Sequence, residues 1–358
     1  MDAHQLAADI KQWGRALGFQ QLGVADLDLS AYRRHLEHWL AAGRHGSMGY
    51  MTRNFEARLD PAVLVPGTAR VITARMDYLP AGQDPLMVLQ HGQLGYVSRY
   101  ALGRDYHKVV RRRLRDLAAR IETAAGGPHR AFTDSAPVLE KALAEKAGLG
   151  WIGKHTVLIN EDAGSWFFLG EIFTDIALPT EPPASITPEK PDPCGRCRAC
   201  ITVCPTQAIV GPRELDAQRC ISYLTIEHRG AIPIELRAAI GNRIFGCDDC
   251  QLFCPWNRYA SQTIETDFSP RHGLDGAELI ELLGWSEADF LTRTEGTALR
   301  RIKHWQWLRN VAVAVGNAPP AVGNIAALEK ARVACQAADH ADIVREHIDW
   351  AIAQQRSG

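Results

Sequence analysis

Alternating apolar and polar positions divide the chain into a mixed N-terminal half and a helical C-terminal end. Helical periodicity runs from Ala3 to Leu17, and the segment LGVADL that follows it predicts a short strand. A second strand is predicted over Val71–Tyr78, where Leu79-Pro80 ends it. Asp105–Glu122 has the pattern of a longer helix. We therefore expect residues 1–180 to form an α/β domain.

The last third of this domain predicts a helix and a hairpin. Ala136–Lys146 has helical periodicity, with Ser135 as its N-cap and Gly148 as its C-cap. Thr156–Ile159 and Ser165–Leu169 alternate as strands do, so a hairpin is expected around the turn between them.

Proline interrupts the pattern after the predicted hairpin. Six prolines lie between Leu178 and Pro193, and this density excludes regular structure and indicates a linker. Beyond Ser269-Pro270 the sequence is rich in alanine and leucine, without a clear repeat period. Helices are predicted at 278–283, 297–315, 321–338 and 343–355. We expect them to pair into a helical, HEAT-like module over residues 266–358.

The composition is that of an ordinary soluble protein with more than one domain. The 358 residues exceed one typical core, and 46% hydrophobic and 23% charged residues allow large cores. The net charge of −1 lends no support to a protein that coats nucleic acid, but it allows a local basic face. The N-terminus reads neither as a signal peptide nor as a twin-arginine signal, and no apolar run reaches the roughly 18 residues of a membrane span. We expect a cytoplasmic protein without a membrane partner.

Eight of the nine cysteines lie between Cys194 and Cys254. In a reducing compartment, such clustering indicates metal ligands rather than disulfides. The run from Cys194 to Pro205 is C-x2-C-x2-C-x3-C-P, in which three cysteines hold one [4Fe–4S] cluster and the fourth serves a second cluster. The run from Cys247 to Pro255 has the last three cysteines of this pattern, and Cys220 can supply the missing one.

The eight cysteines then fill two clusters and leave none over. One cluster is assigned to Cys194, Cys197, Cys200 and Cys254, and the other to Cys204, Cys220, Cys247 and Cys250. Structural zinc is the alternative, because C-x2-C pairs are its usual ligands. Zinc sites rarely use this spacing or a crossed pattern, so we favour two clusters that carry single electrons. Cys335, outside both runs, is expected to be a buried thiol.

Other stretches carry candidate chemistry with simpler alternatives. Asp134 precedes a predicted helix, and Gly148, Gly150 and Gly153 permit a ligand to approach the backbone closely. Ordinary caps and turns account for the same residues. The N-terminal half has neither a G-x-G-x-x-G segment after a strand nor a P-loop, so the electrons need an acceptor other than a nucleotide held by those motifs.

Two basic stretches are candidates for contacts with nucleic-acid phosphates. The first comprises Lys108, Arg111, Arg112, Arg113 and Arg115. The second mixes cations with aromatic residues and comprises Arg300, Arg301, Lys303, His304, Trp305, Trp307 and Arg309. RNA-binding surfaces use such mixtures. The alternative explains both stretches equally well: the cations lie on a solvated helix face and the tryptophans belong to the core.

Several motifs together resemble those of epoxyqueuosine reductase, the iron–sulfur and cobalamin enzyme of tRNA queuosine biosynthesis. They are S-R-Y-A-x-G-x-D-Y-H at 98–107, T-D-S-A-P-x-x-E-K at 133–141, G-x-G-W-I-G-K-x-T at 148–156, G-S-W-F-x-L-G-E-I at 164–172, R-C-I-S-Y-x-T-I-E at 219–227 and L-R-N-x-A-V-A-x-G-N at 308–317. With the cysteine runs, they cover nearly the whole chain in the family's order. Many proteins share the cluster motif alone, but the combination is specific.

The resemblance implies a reaction, cofactors and a fold. The family reduces the epoxide of epoxyqueuosine at the wobble position of tRNA (position 34) to the alkene of queuosine, the last step of the pathway. The implied cofactors are cobalamin and the two clusters that reduce it. The implied fold is an α+β multidomain chain. It has an N-terminal α/β cobalamin-binding domain (1–180), a bacterial ferredoxin-like domain with two [4Fe–4S] clusters (181–265) and the C-terminal helical module.

The resemblance also implies site residues and partners. Asp134 matches the family's proposed proton donor, and a pKa raised by burial would suit an acid near neutral pH. The residues implied to line the cobalamin pocket are Arg58, Ser98, His107, Asp134, Lys154, His155, Leu158, Ser222 and Asp248. Implied partners are a tRNA anticodon stem-loop, held in part by the basic stretches, and an external electron donor such as flavodoxin or ferredoxin. We expect a monomer.

Three alternatives are weighed against this resemblance. A respiratory reductive dehalogenase shares cobalamin and two clusters, but such enzymes usually carry a twin-arginine signal. An electron-transfer ferredoxin with extra domains would leave the stretches 98–107 and 133–156 without a role. An RNA-binding protein with structural clusters would bind tRNA without catalysis.

Overall fold

The computed structural model describes residues 2–181, 192–335 and 339–357, so most of the predicted linker lies outside it. The strands are β1 Gln21–Ala25, β2 Arg70–Asp77, β3 Tyr96–Val97, β4 His129–Phe132, β5 Trp151–Ile152, β6 Leu158–Ile159, β7 Phe167–Thr174, β8 Ile209–Gly211, β9 Glu214–Leu215 and β10 Arg243–Phe245. The α-helices are α1 Ala3–Ala16, α2 Ser30–Ala41, α3 Phe55–Leu59, α4 Pro61–Leu64, α5 Pro85–Gln90, α6 Tyr106–Ala125, α7 Glu140–Lys146, α8 Ala199–Val203, α9 Ile221–Ile226, α10 Ile234–Ile240, α11 Asp249–Leu252, α12 Leu279–Leu283, α13 Glu287–Arg293, α14 His304–Asn317, α15 Val322–Ala334 and α16 Ala341–Ser357. Within the described ranges, none of these helices combines the length and the apolar character that crossing a bilayer requires.

The N-terminal half is built on a four-stranded sheet in the order β1-β2-β7-β4, and every neighbouring pair is antiparallel. Successive side chains of a strand point to opposite faces, so each strand serves two cores. Ile72, Ala74 and Met76 of β2 pack in a core with α1 and α6, whereas Val71 packs on the opposite face with α7. The α/β domain expected from the sequence therefore has helices on both faces of an antiparallel sheet.

The cysteine-rich segment is joined to the N-terminal half by backbone pairing. Its strand β10 runs parallel to β3, with Arg243 opposite Tyr96 and Phe245 opposite Val97. Phe245 and Val97 lie in one buried core with residues of the C-terminal helices. This pairing sets the segment between the N-terminal sheet and the helical end of the chain.

The C-terminal helices share their core with the cysteine-rich segment. Helix α14 is buried on almost every side, and its Val313 packs with Leu224 and Leu236 of α9 and α10. Arg309, fully buried, donates from its guanidinium to the carbonyls of Leu224, His228 and Gly230. The side chain thus satisfies loop carbonyls that would otherwise be buried without a donor.

Most of the elements predicted from periodicity are confirmed within a few residues, and three differ. The helix predicted from Ala136 begins only at Glu140, because Pro137 disfavours a helical conformation at Ala136. Ser135 is therefore not its N-cap; its hydroxyl accepts from Arg111. The segment after residue 297 is a short 3₁₀ turn, 298–301, and α14 starts at His304.

The predicted hairpin is wrong in its pairing. Asn160 and Gly164 do bond each other across the turn, as expected. Strand β6, however, pairs with β5, while β7 pairs with β2 and β4. Local alternation predicts a strand, but which strand it joins is decided by the sheet as a whole.

Candidate active site and cluster sites

Asp134 follows strand β4 in an uncommon backbone conformation. Its φ of +50° lies in the left-handed region, which residues other than glycine seldom adopt. The backbone N–H donates to the Glu140 carboxylate, and Oδ2 accepts from the Tyr106 hydroxyl. The side chain is 57% exposed. Strain of this kind persists only where neighbours hold it, and here it presents a carboxylate to open space.

His107 links Asp134 to a second carboxylate. Its Nε2 lies 3.4 Å from Oδ2 of Asp134, and its Nδ1 lies 2.8 Å from Oδ1 of Asp105, the N-cap of α6. Burial lowers the pKa of His107, but the hydrogen bonds to Asp105 and Asp134 outweigh it and raise the pKa to about 9. Burial raises the pKa of Asp134, but hydrogen bonds from His107 and Tyr106 hold it below its usual range. In the protein alone the neighbours of Asp134 therefore stabilise its carboxylate, and a pKa raised by burial against the corrin stays a prediction.

Two further carboxyl groups lie behind the Asp134 backbone. Desolvation, followed by the charge of Asp134, raises the pKa of Glu140 to about 7. Burial, followed by the charge of Glu140, raises the pKa of Glu171 in β7 well above its usual range. With both carboxyls ionised, the Glu171 oxygens have no donor among the described residues; with a proton on one of them, Glu171 and Glu140 hydrogen-bond each other. Because two adjacent carboxyls resist joint ionisation, this pair retains a proton near neutral pH.

Asp248 closes the junction between the cysteine-rich segment and strand β3. Its Oδ1 accepts from the Ser98 hydroxyl, and its Oδ2 accepts from the Tyr96 hydroxyl at 2.8 Å and the Arg99 N–H at 2.7 Å. Ser98 and Asp248 are each 1% exposed. The two residues, both expected in the cobalamin pocket, are engaged with each other, and cobalamin contact through their side chains stays a prediction.

Four cysteines surround one cavity at the edge of the molecule. A cavity of about 240 Å³ is lined by Cys194, Cys197, Cys200 and Cys254. Cys197 is exposed, whereas Cys200 and Cys254 are buried. The structure thus brings Cys254 of the second run to three cysteines of the first run, as the crossed assignment requires.

The remaining four cysteines gather deeper in the protein. Burial raises the pKa of the Cys247 and Cys250 thiols well above the usual range. The charges of Cys220 and Cys204 further raise the pKa of the Cys250 thiol, and the charge of Cys250 raises the pKa of the Cys247 thiol. The four sulfurs are therefore neighbours. Burial also raises the pKa of the Cys220 thiol, and hydrogen bonds from the Tyr223 and Ser222 backbone and from the Ser222 side chain act in the opposite sense. Ser222 is thus placed at this second group of cysteines.

The glycine-rich stretch after α7 contacts the outer cysteine group. Nζ of Lys154 donates to the carbonyls of Gly195 and Cys197, at 2.5 and 2.9 Å. Lys154 and His155 line the cavity of that group, and Leu158 is buried in the N-terminal core. Burial lowers the pKa of His155 to about 4, so its imidazole is neutral.

Arg58 and a C-terminal arginine lie on the Asp134 side of the molecule. Arg58 is buried and donates to the carbonyl of Tyr50 at 2.9 Å, while its Nε has no partner among the described residues. Burial raises the pKa of the Tyr50 hydroxyl, and nearby charges shift it further. These charges belong to Glu227, Arg301, Asp134 and Arg58, so the four groups lie around one region. Arg301 itself pairs with Glu227 at 3.0 Å and remains 57% exposed.

The basic stretches are only partly available to a nucleic acid. Arg113 donates to the Leu17 carbonyl and pairs with Glu265, so it holds the fold together. Arg309 is fully buried, and Trp305 and Trp307 belong to the C-terminal core. Exposed cations remain at Lys108, Arg112, Arg115, Arg300, Arg301 and Lys303.

Sequence reasoning gave no role to Tyr106, Asp105, Glu140 or Glu171. All four lie inside motifs that carry the resemblance. Asp105, Tyr106 and Glu140 share their motifs with His107 or Asp134, and that was the available signal for them. Glu171 lies in a different motif, where the further signal was an acidic residue in the middle of an apolar strand.

Two family models match parts of the chain. A profile described as "4Fe-4S double cluster binding domain" matches residues 193–257, and one described as "Epoxyqueuosine reductase QueG, DUF1730" matches residues 58–135. The epoxyqueuosine reductase of Pseudomonas aeruginosa is 56% identical over 352 residues, which cover 98% of this chain and 95% of that protein. The chain belongs to the epoxyqueuosine reductase family. It is accordingly an oxidoreductase with a double-cluster domain.

Solved structures share the fold over almost all of the chain. Epoxyqueuosine reductase from Bacillus subtilis, in a structure described as having "the Asp134 catalytic loop swung out of the active site", matches with a TM-score of 0.85 and 25% identity over 99% of this chain and 91% of that one. An epoxyqueuosine reductase with an epoxyqueuosine-modified tRNA-Tyr stem-loop matches with a TM-score of 0.83 and 24% identity over 99% of this chain and 100% of that one.

Proposed function

We propose that this epoxyqueuosine reductase reduces epoxyqueuosine to queuosine at position 34 of tRNA, using cobalamin and two [4Fe–4S] clusters, with Asp134 as proton donor. The observation that carries the proposal is the Asp134 carboxylate, exposed on a strained backbone and bonded by two proton-bearing side chains. The domain layout belongs to the same proposal: a cobalamin-binding domain over 1–180, a ferredoxin-like domain over 181–265 and a HEAT-like module over 266–358.

The cysteine arrangement fits two clusters. The outer group, Cys194, Cys197, Cys200 and Cys254, surrounds a cavity open to solvent at Cys197. The deeper group, Cys204, Cys220, Cys247 and Cys250, adjoins the buried Asp248. Electrons from an external donor such as flavodoxin or ferredoxin would enter at the outer cluster and pass through the deeper one.

The residues on the Asp134 side fit a large polar cofactor. Arg58 keeps a buried Nε without a partner among the described residues, and a carbonyl or amide oxygen of a corrin side chain would satisfy it. Cobalamin in its reduced state supplies a strong nucleophile toward the epoxide carbon. The chain's own residues bind and orient the reactants and provide protons.

The reaction balances with two electrons and two protons. The epoxide carbon–oxygen bonds break, a carbon–carbon double bond remains, and the oxygen leaves as water. An alkoxide is a poor leaving group, so a proton donor must reach that oxygen. Two observations support Asp134 in this role: its side chain is more than half exposed, and its contacts with Tyr106 and Glu140 fix its direction.

A tRNA substrate agrees with the exposed cations around this side. Arg300, Arg301 and Lys303 lie in or beside the 3₁₀ turn 298–301, and Arg301 acts electrostatically on Asp134. Lys108, Arg112 and Arg115 lie on α6, which begins beside Asp134. Cations in these positions would hold backbone phosphates while the modified base enters the site.

Asp134→Asn tests the proposal. The protein would be reconstituted anaerobically with iron, sulfide and cobalamin, then incubated with epoxyqueuosine-containing tRNA and a strong chemical reductant. Mass spectrometry of the nucleosides should show loss of one oxygen atom with the unaltered protein, dependent on cobalamin. The variant should keep its clusters and cobalamin and lose about 10²- to 10⁴-fold in turnover, the contribution typical of a general acid.

Asp116→Asn, an exposed carboxylate on α6, is the matched control and should retain turnover. Near-normal turnover of Asp134→Asn would reject the acid role. A fully loaded unaltered protein that leaves the epoxide intact would reject the substrate.

A further inference from the structure

The balance of the proposed reaction calls for two protons, and both need a source beyond Asp134. Reduction of the epoxide to the alkene consumes two protons, one when the ring opens and one when the oxygen leaves as water. Asp134 bonds as a carboxylate in this structure, because Tyr106 and His107 both point donors at it. Each proton that Asp134 delivers must therefore first come to it from a neighbour.

The neighbouring side chains form a connected path. Oδ2 of Asp134 lies 3.4 Å from Nε2 of His107, and Nδ1 of the same ring lies 2.8 Å from Oδ1 of Asp105. Asp105 is fixed as the N-cap of α6, where it also accepts the His107 N–H. The ring stacks on Tyr106 at 4.1 Å, which fixes its plane. Its side chain keeps 33% exposure, so it also reaches solvent.

We propose that His107, oriented by Asp105, is the proton entry of the site, loading Asp134 twice in each catalytic cycle. The proposal rests on the proposed function and deepens it. His107 acts through Asp134 and is therefore a positioning and proton-supplying residue. Asp105 keeps the imidazolium stable and its Nε2–H directed at Asp134.

The steps conserve protons and electrons. The imidazolium gives its Nε2 proton to Asp134, which passes it to the epoxide oxygen as the ring opens. Neutral His107 takes a proton from solvent, and the transfer through Asp134 repeats as the hydroxyl leaves as water. The two electrons come from the external donor through the clusters, so no other oxidant or reductant is needed.

The charges facing His107 favour its protonated form overall. Asp105, Asp134 and Glu140 are acidic, and Arg301 opposes them from the C-terminal side through its effect on Asp134. Desolvation lowers the pKa of His107, but the hydrogen bonds and charges of Asp105 and Asp134 raise it to about 9, so the ring takes up a proton from water at neutral pH.

A titration of the cobalamin-free protein tests the pair without any turnover. Histidine labelled in its ring would be followed by NMR against pH, with His107→Gln to assign the signal. We expect His107 to titrate near 9 and its pKa to fall by at least about one unit in Asp134→Asn and in Asp105→Asn, since each variant removes a negative charge. An ordinary value near 6.5 that neither variant moves would overturn the proposal.

Turnover of the loaded enzyme tests the supply role. His107→Gln should lose about 10-fold or more in kcat with little change in KM for tRNA, and the alkaline limb of its pH profile should disappear. In His107→Ala, added imidazole should restore turnover in proportion to the imidazolium concentration. His91→Gln, an exposed histidine elsewhere, is the matched control and should leave kcat unchanged.

The outcomes separate this proposal from the function on which it rests. Visible absorption should show normal clusters and cobalamin in both His107 variants. Full turnover in His107→Gln with an unchanged pH profile would overturn the proton entry while leaving the reductase intact. If the unaltered enzyme leaves the epoxide intact, the proposed function fails, and a coupled His107 titration would then show a proton pair that serves another reaction.

Discussion

Two aspartates, Asp134 and Asp248, occupy opposite environments in this molecule. Asp134 is 57% exposed on a left-handed backbone, and its side-chain partners, Tyr106 and His107, both bond one oxygen. Asp248 is 1% exposed and accepts from three donors, all from the segment 96–99. The first carboxylate faces the ligand side, whereas the second closes a junction between two parts of the chain.

The difference shows that the strained carboxylate and the stabilising carboxylate lie at separate places in the protein. At Asp134 one oxygen is left to a reactant, and the site keeps a conformation that costs free energy. At Asp248 every bond is made within the protein, so burial is compensated. Proximity to a cofactor therefore does not by itself make a carboxylate functional. Whether its oxygens still have room to accept a hydrogen bond indicates which role it has.

The largest expected effect is on stability. Asp248→Ala leaves three buried donors without an acceptor and should lower the free energy of unfolding by about 3–5 kcal/mol. Asp134→Ala should lower it by only about 1–2 kcal/mol, because water can replace its exposed bonds while His107 loses one neighbouring negative charge. Urea denaturation of the cluster-free protein measures both. Equal losses would contradict the contrast, and Asp248→Asn, which keeps the volume, should fall between them.

A matched pair of tyrosines gives a smaller effect of the same kind. Tyr96→Phe removes a buried hydrogen bond to Asp248 and should cost about 1.5–3 kcal/mol of unfolding free energy. Tyr106→Phe removes the equivalent bond to the exposed Asp134 and should cost under about 1 kcal/mol. It should also raise the pKa of Asp134, because a donor to the carboxylate is lost. Thermal unfolding of the two variants under the same conditions measures both losses, and equal losses of unfolding free energy would contradict the prediction.

The smallest expected effect is a pH dependence confined to the Asp134 side. The pKa of His107 is raised from 6.5 to about 9 in the folded protein, so its contribution to stability is complete below pH 6.5 and lost as the pH rises through about 9. The loss should amount to about 1–2 kcal/mol, since the side chain is partly screened by solvent. The lowered pKa of Asp134 contributes stability that is complete above its usual value of 3.8 and is lost as the pH falls below it, so it does not affect this alkaline range.

Denaturation midpoints measured from below pH 6.5 to above pH 9 check the prediction. Asp134→Asn should flatten the fall in stability, and Asp248→Asn should leave its shape unchanged. A fall of the same size in both variants would assign it to groups outside the His107 pair.

The parts of this molecule that sequence could predict are those whose signal is local. The spacing of Cys194 to Cys204 predicts a double-cluster segment, because the ligands of a cluster lie within a few residues of one another. Helix α1 and strand β2 followed from periodicity for the same reason. Asp134 stood out before a predicted helix, but only the motif resemblance favoured a catalytic role over a cap, since its φ and partners are set by α6 and α7.

What sequence could not predict depends on distant partners. The helix expected from Ala136 begins only at Glu140, and Ser135 bonds Arg111, from α6, instead of capping it. Arg309 belongs to a basic stretch, yet three carbonyls from another segment draw it inside. Glu171 lies in an otherwise apolar strand. Its burial beside Glu140 follows from how the sheet and α7 pack, which the sequence does not give.

The pairing of β3 with β10 has a consequence for the order in which a ribosome builds this protein. Strands β1, β2, β4 and β7 are complete once residue 174 has been made, so the four-stranded sheet can close early in synthesis. Strand β3 must wait for β10, and Ser98 must wait for Asp248. The β3 backbone groups that bond β10 therefore stay unpaired until residue 245 has been made, well after the four-stranded sheet has all its strands.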